Sequence, residues 1–188
     1  MAARIAPLSP PYAADVKASL DKWMPPGSGL EPLKLFRTVA RHPLLSERMR
    51  ALGSALLGRS TLPLRTRELL ILRTCARCHA EYEWGVHVSA FAAAAGLDDD
   101  AVRATTRPGD TGGAPLGDAL VLRLVDELHD TGGVSDATWT GLAARYEASE
   151  LLEMLAVAGF YHLISFVVNG ARIEPEPWAA TFPALSKG

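Results

Sequence analysis

Apolar residues recur along this chain at helical spacing, and proline and glycine divide it into segments of helix length. Residues 1–11 are Pro-rich and read as an arm lying on a surface. A first helix is predicted from about Tyr12 to Met24, stopped by Pro25-Pro26-Gly27. Glu31 to Arg41 places Leu33, Phe36 and Val39–Ala40 at helical spacing. Pro43 opens the next helix, which runs to Leu57 with Leu44, Leu45, Met49, Leu52, Ala55 and Leu56 as its apolar stripe. From Pro63 to Ala95 only Gly85 interrupts, a length that predicts two helices broken near Cys78–Glu81, the second closed by Gly96. Asp98-Asp99-Asp100 starts a short helix, because carboxylates favour the exposed N–H groups of a helix start. Arg107 to Gly117 reads as a mobile loop. Three more helices are predicted over Asp118–His129, Ser135–Tyr146 and Ser149–Asn169, with Asp130-Thr131-Gly132-Gly133 between the first two. The Pro-rich tail from Glu174 onward is expected to pack on the body or on a neighbouring subunit. Alternating runs of strand length are absent, so the predicted fold class is all-α, with no internal linker.

Composition narrows the classes of function. With 188 residues, 48% hydrophobic and 21% charged, the chain is long and apolar enough to bury a sizeable core in one domain. A formal charge of -2 supplies no field for gripping nucleic acid and no polybasic membrane anchor. Four Lys against fifteen Arg is a skew attributed to genomic base composition. The N-terminus has no apolar signal region, and the longest apolar stretch, Leu151 to Val168, contains Glu153 and His162, as a buried helix of a soluble protein does. A cytoplasmic protein with two reduced thiols is expected; two Cys are too few for a disulfide scaffold.

The densest polar cluster lies inside the two most apolar helices, from Arg65 to His87. At ~100° per residue, Leu64, Glu68, Ile71 or Leu72, Cys75 and Cys78 share a face, which carries Glu68 inward. A buried carboxylate needs a partner, and His87 can supply one while titrating near neutrality. Glu83 and His87 are four apart on the second helix, and Phe91 and Ala94 continue their face. Two carboxylates and one imidazole converging in an apolar pocket can move protons at pH 7. The same residues also suit a structural ion pair or an interface contact.

The run Arg65–Glu68, Ile71-Leu72-Arg73 and Glu81-Tyr82-Glu83-Trp84-Gly85-Val86-His87 resembles the carboxymuconolactone decarboxylase family, which also holds the alkylhydroperoxidase D-like proteins. The resemblance covers roughly residues 30–175, with support from Gly159-Phe-Tyr161-His162 through Asn169. Residues 1–29 would then be an N-terminal arm with one helix, and 176–188 a tail. It implies an all-α domain of about seven to eight helices, and a homo-oligomer: dimer, trimer or hexamer. The Ala-rich segment Val88–Ala95 is consistent with close helix packing within or between subunits.

The peroxidase branch of the family uses E-x11-C-x2-C-x3-H. On this chain that frame gives Glu68 and His87, but Ala80 and Glu83 at the two cysteine positions. The acid–base pair is present and the family-placed thiols are missing. Cys75 and Cys78 remain as a C-x-x-C with several readings. They suit core thiols, a relocated redox pair with pKa lowered by Arg73, Arg77 or His79, or half a zinc site without a second pair; with His79 they also match a haem-attachment string.

The resemblance implies a cofactor-free, metal-free lyase acting on a small carboxylated lactone or ring, with no nucleic-acid or membrane partner. His87 would donate or accept the proton, Glu68 would orient it, and Glu83 would assist. Arg73 or the Trp84 N–H would hold substrate oxygens, with Tyr82, Tyr161 and His162 beside the pocket; Arg73 also suits a salt bridge to Glu68 or Glu81. A thiol-dependent alkylhydroperoxide reductase using Cys75 and Cys78 is the alternative, and a non-catalytic binding or assembly protein the third. Asp126, Glu127 and Asp130 read as a solvated helix end, and His42 as a loop residue.

Overall fold

The computed structural model describes residues 2–24, 30–109, 111 and 113–183. The predicted stop at Pro25-Pro26-Gly27 lies outside them, as do Asp110 and Gly112 of the 107–117 loop and residues 184–188 of the tail. Among the described residues there are nine helices and no strand. They are α1 Ala14–Asp21, α2 Lys34–Val39, α3 Pro43–Gly58, α4 Leu64–Arg77, α5 Glu81–Phe91, α6 Asp99–Ala104, α7 Leu116–Thr131, α8 Asp136–Ala143 and α9 Ala148–Ala171. The all-α expectation holds, with one or two helices more than the stated count.

Helix α4 is the axis of the molecule. Leu69, Leu70, Ile71 and Leu72 are all buried in succession, because α5, α7 and α9 each pack against it. A helix apolar all round has to be enclosed. The break after α4 falls where Pro/Gly spacing placed it, but it is made without glycine. His79 takes a left-handed backbone at φ 53°, and the N–H groups of His79 and Ala80 return to the carbonyls of Ala76 and Cys75. This closes the last turn with the paired bonds of a Schellman motif. The same device with Arg172 (φ 51°) ends α9.

Among the differences from expectation are two helix ends, one cap and one face. Helix α5 ends at Phe91, and residues 92–95 form a turn that Gly96 closes at φ 65°. Helix α8 stops at Ala143, short of Tyr146. His42 is not a plain loop residue: its imidazole Nδ1 accepts the Leu45 N–H and so caps α3. On α3 the buried positions are Ser46, Met49, Gly53 and Leu56, while Leu44, Leu45 and Leu52 face outward. Small side chains decide this. Ser46 accepts the Trp23 indole N–H, and Gly53 lets the Phe160 ring approach to where a Cβ would touch it at 3.4 Å.

Helix α9 is long and apolar enough to cross a membrane by length and composition, yet half of its most apolar window is buried inside the molecule. Its Glu153 accepts from the Thr61 backbone and hydroxyl, which docks the α3–α4 connection. The fold therefore uses α9 as a core helix.

The described parts of the arm and of the tail lie on this body. The arm is tied by Arg4 and Ile5 N–H to the Ala171 carbonyl, and by Leu8 N–H to the Arg37 carbonyl. In the tail, Glu176 accepts from the Lys34 N–H and the Tyr82 hydroxyl. Ala180 crosses α5 at Gly85, where any Cβ would overlap the Ala180 carbonyl oxygen. Phe182 packs on Trp84 at 5.1 Å between ring centroids.

Candidate functional site

Helices α4, α5 and α9 bring polar side chains to a single buried point. His87 Nδ1–H donates to Glu68 Oε2 at 2.8 Å, and His87 Nε2 lies 3.0 Å from the Tyr161 hydroxyl. One turn back on α5, Glu83 Oε1 is 3.5 Å from the same Nε2. Glu68 is 0% exposed, His87 3% and Glu83 6%, so four polar groups meet where water barely reaches. The Glu68–His87 contact was legible from helical spacing across the α4–α5 hairpin. Arg67 was not. Its Nε–H donates to Glu68 Oε1 at 3.2 Å while its NH1 holds the Leu57 carbonyl. Neighbours in sequence do not share a helix face, so no periodicity argument pairs them. Here the long guanidinium reaches around the helix.

The electrostatics follow from this arrangement. Burial opposes a charge on His87, but the hydrogen bonds to Glu68 and Glu83 and the fields of both carboxylates outweigh it and push its pKa up to about 9. Burial, with Glu83 and Glu68 nearby, drives the Tyr161 phenol well above its ordinary value, so it stays a neutral donor and acceptor. Glu83 Oε2 is buried with no hydrogen-bond partner. Buried acceptors are nearly always satisfied, so this oxygen is a place for a donor from outside the chain. Phe91, exposed on its outer side, packs its ring at a 40° tilt with its centroid 5.1 Å from that of the imidazole.

Several residues expected here are elsewhere. Arg73 is fully buried; its NH1 donates to the carbonyls of Ala104, Thr105 and Arg107, and its NH2 pairs with Asp126 at 2.9 Å. It therefore ties α4 to α7 and to the end of α6, with both terminal nitrogens engaged by these groups. The Trp84 indole N–H donates to Thr105 Oγ1 at 3.0 Å, and the Tyr82 hydroxyl is engaged by Glu176 and the Leu35 N–H. Both rings are buried supports rather than pocket contacts. The acidic end of α7 is more than solvated: Asp126 and Asp130 pair with Arg77, and Glu127 caps the start of α8 through Ser135 and Thr138. Asn169 donates to the Cys78 carbonyl at the end of α4.

The two thiols have different surroundings. Cys75 is enclosed in the core, and burial first, then Glu83, raises its pKa well above the ordinary thiol value. Cys78 is half-buried and also raised, by burial, with Ser165 and then Arg77 only partly compensating. Neither carries the lowered pKa that a relocated redox pair requires. Cys78 instead faces two histidines. Its Sγ is 4.0 Å from His129 Nδ1, which is 3.0 Å from His162 Nε2. His162 thus points away from the Glu68–His87 site although Tyr161, the preceding residue, points into it. His129 had no marker in the sequence beyond its place in the last turn of α7.

Comparison with known proteins bears on the fold and on one segment of the sequence. Residues 43–115 match the model of the Carboxymuconolactone decarboxylase family. No curated protein matches the sequence. Among solved structures, an uncharacterized peroxidase-related protein from Silicibacter sp. TM1040 superposes with a TM-score of 0.78 at 14% identity, covering 94% of this chain and 93% of that one. A variant of the debrominase Bmp8 in complex with 2,3,4-tribromopyrrole gives 0.76 at 14%, covering 95% and 94%. The alkylhydroperoxidase AhpD core of a peroxidase-related protein from Ralstonia eutropha JMP134 gives 0.71 at 16%, covering 94% and 95%. At these identities the structural likeness speaks for the fold; the family match spans α3 to the residue before α7 and contains Arg67, Glu68, Glu83 and His87. The chain is thus similar to the Carboxymuconolactone decarboxylase family over residues 43–115, and it shares the helical fold of the alkylhydroperoxidase D-like structures over nearly its whole length.

Proposed function

We propose that this chain is an acid–base enzyme of the cytoplasm, a lyase resembling carboxymuconolactone decarboxylase that acts on a small carboxylated lactone or ring. The observation that carries the reading is the buried imidazole clamped at Nδ1 by Glu68, with Nε2 turned toward Tyr161 and Glu83. With a pKa near 9, His87 rests as an imidazolium at neutral pH and is set to donate. In the decarboxylation, the bond to the carboxylate breaks and carbon dioxide leaves. The electron pair moves into the ring carbonyl as an enolate. His87 Nε2–H then returns a proton to carbon, and the neutral imidazole is recharged from solvent. Glu68 keeps Nδ1 protonated throughout, which fixes which nitrogen does the transfer. The low-dielectric surroundings favour loss of the substrate's charge. The debrominase on the same fold holds a small planar ring, in keeping with a substrate of that size.

The raised thiols weigh against the alkylhydroperoxide reductase, which needs a thiolate at neutral pH. The discriminating experiment assays carbon dioxide release from a panel of carboxylated lactones, beside thiol-dependent consumption of an alkyl hydroperoxide. The expected result is lactone turnover that falls ~100-fold or more in a folded His87→Ala variant and persists in Cys75→Ala/Cys78→Ala. Peroxide turnover abolished by the cysteine substitutions, with no lactone turnover, would replace this reading with the reductase.

A further inference from the structure

A second cluster of ligand-type side chains sits at the seam of α4, α7 and α9, apart from the residues of the acid–base reading. It consists of Cys78 at the end of α4, His129 in the last turn of α7 and His162 in the middle of α9. One atom from each, Cys78 Sγ, His129 Nδ1 and His162 Nε2, lies within 4.8 Å of the others. All three side chains are half-buried, so they are held in place yet reachable.

We infer that Cys78, His129 and His162 form a three-ligand site for a borderline divalent cation, with zinc as its fit. Three observations lead there. The first is donor chemistry. One sulfur and two imidazole nitrogens suit zinc, whereas magnesium and calcium take oxygen ligands. The second is spacing. Around a tetrahedral zinc, with bonds of about 2.0 Å to nitrogen and 2.3 Å to sulfur, the donor atoms lie roughly 3.3–3.6 Å apart. The two edges that meet at His129 Nδ1 are 3.0 and 4.0 Å, so small rotations bring the triangle to size. The third is orientation. His162 Nδ1 lies 2.8 Å from the Ala158 carbonyl of its own helix, an acceptor only, so Nδ1 carries the proton and donates it. That fixes the tautomer in which Nε2 presents its lone pair to the other two ligands. A backbone carbonyl on the far nitrogen is the support that metal-binding histidines ordinarily have.

One of the three ligands also borders open space. His129 lines a cleft of about 400 Å³ together with Arg77, His79, Thr106 and Phe182. Three protein ligands are the set of a zinc that keeps an exchangeable fourth position, and the cleft at His129 is where an exogenous ligand would approach. Loading the site releases the Cys78 thiol proton as the Zn–S bond forms, and the proton shared between His129 and His162 moves to the far nitrogen of His129 or to solvent. The spacing of these residues along the chain, 51 and 33 positions apart, conceals the site from any local motif.

The test uses the full chain, stripped with a chelator and dialysed. Zinc affinity and stoichiometry are read by competition with a chromophoric chelator, and cobalt(II) is added separately as a spectroscopic probe. The expected result is one zinc per chain, and a cobalt spectrum with tetrahedral d–d bands and a thiolate charge-transfer band. Cys78→Ser should abolish the charge-transfer band. His129→Gln and His162→Gln should each weaken zinc binding by at least ~10-fold. Cys75→Ala, which removes the other thiol, should leave binding and spectrum intact. Circular dichroism of the metal-free variants establishes that they fold; if one does not, the cobalt spectrum of the unaltered chain decides. Absence of zinc binding, a cobalt spectrum without a thiolate band, or binding indifferent to Cys78 and both histidines would overturn the site.

Discussion

At His87 the two ring nitrogens do different things, and the difference is set by what each one touches. Nδ1–H is committed to Glu68, itself braced by Arg67, so it is a fixed donor. Nε2 faces a neutral phenol and a second carboxylate, and it is the nitrogen that can exchange a proton. Burial alone would drive this imidazole neutral; the two carboxylates reverse that and carry its pKa up to about 9. The acid form is therefore dominant at neutral pH, and activity that uses it should decline as pH rises through about 9. Glu68→Gln removes one of the two charges and leaves an amide on Nδ1. The imidazole should then titrate at least ~1 unit lower, since a charged partner within hydrogen-bond distance is worth 1–3 units. The alkaline limb of the pH–rate profile should move down with it. Following the His87 ring protons by NMR across the same range gives the shift directly. An unchanged midpoint in Glu68→Gln would mean that Glu83 and the surroundings, not the Glu68 clamp, charge the ring.

At the scale of helices, punctuation and periodicity were enough to find every element from α1 to α9; Pro, Gly, Ser or Asp mark most of the boundaries, while the α4–α5 turn at His79 and the ends of α9 at Glu147 and Arg172 are made without them. Periodicity failed where tertiary approach outweighed apolarity. On α3, Ser46 and Gly53 turn inward because a close helix neighbour needs small side chains there, and three leucines are left outside. Arg73 is a second case in which distant elements decide. An arginine inside a leucine-rich helix reads as a substrate clamp, because the sequence does not reveal that α7 delivers Asp126 and that the end of α6 delivers carbonyls to the same spot. The two roles differ in a measurable way. Arg73→Met removes one member of a buried ion pair and strands the other, a change that costs about 3–5 kcal/mol. Urea unfolding should show a loss of that size, while KM of the remaining folded enzyme stays within a few-fold. A large rise in KM at unchanged stability would return Arg73 to the substrate.

For the molecule as a whole, the candidate site was legible to the extent that it lay within one helical hairpin. Glu68, Glu83 and His87 are set by α4, α5 and the turn between them, so spacing sufficed. Tyr161 came only through family likeness, and His129 not at all, because both depend on how distant helices dock. That docking gives the buried charge cluster a global consequence. His87 has a pKa of about 9 when folded against 6.5 for a free imidazole, so the folded state holds a proton that the unfolded chain has already released. The associated stability is fully present below pH ~6.5 and is lost as pH rises through about 9, at ~1.4 kcal/mol per unit, or about 3 kcal/mol in all. Other shifted groups fall largely outside this window. His129 is lowered, so its penalty is felt as pH falls toward and below the ordinary imidazole value. Cys75, Cys78, Tyr82 and Tyr161 are raised acids, and they add to the loss mainly above the thiol and phenol range. Urea unfolding of the native chain at intervals between pH 6.5 and 8.5 should therefore show stability falling steadily with a slope near one proton. In His87→Gln that slope should flatten, leaving a lower stability that is nearly independent of pH across the same range. A slope that survives in the variant would assign the proton to another group and remove the charged imidazole from the centre of the fold.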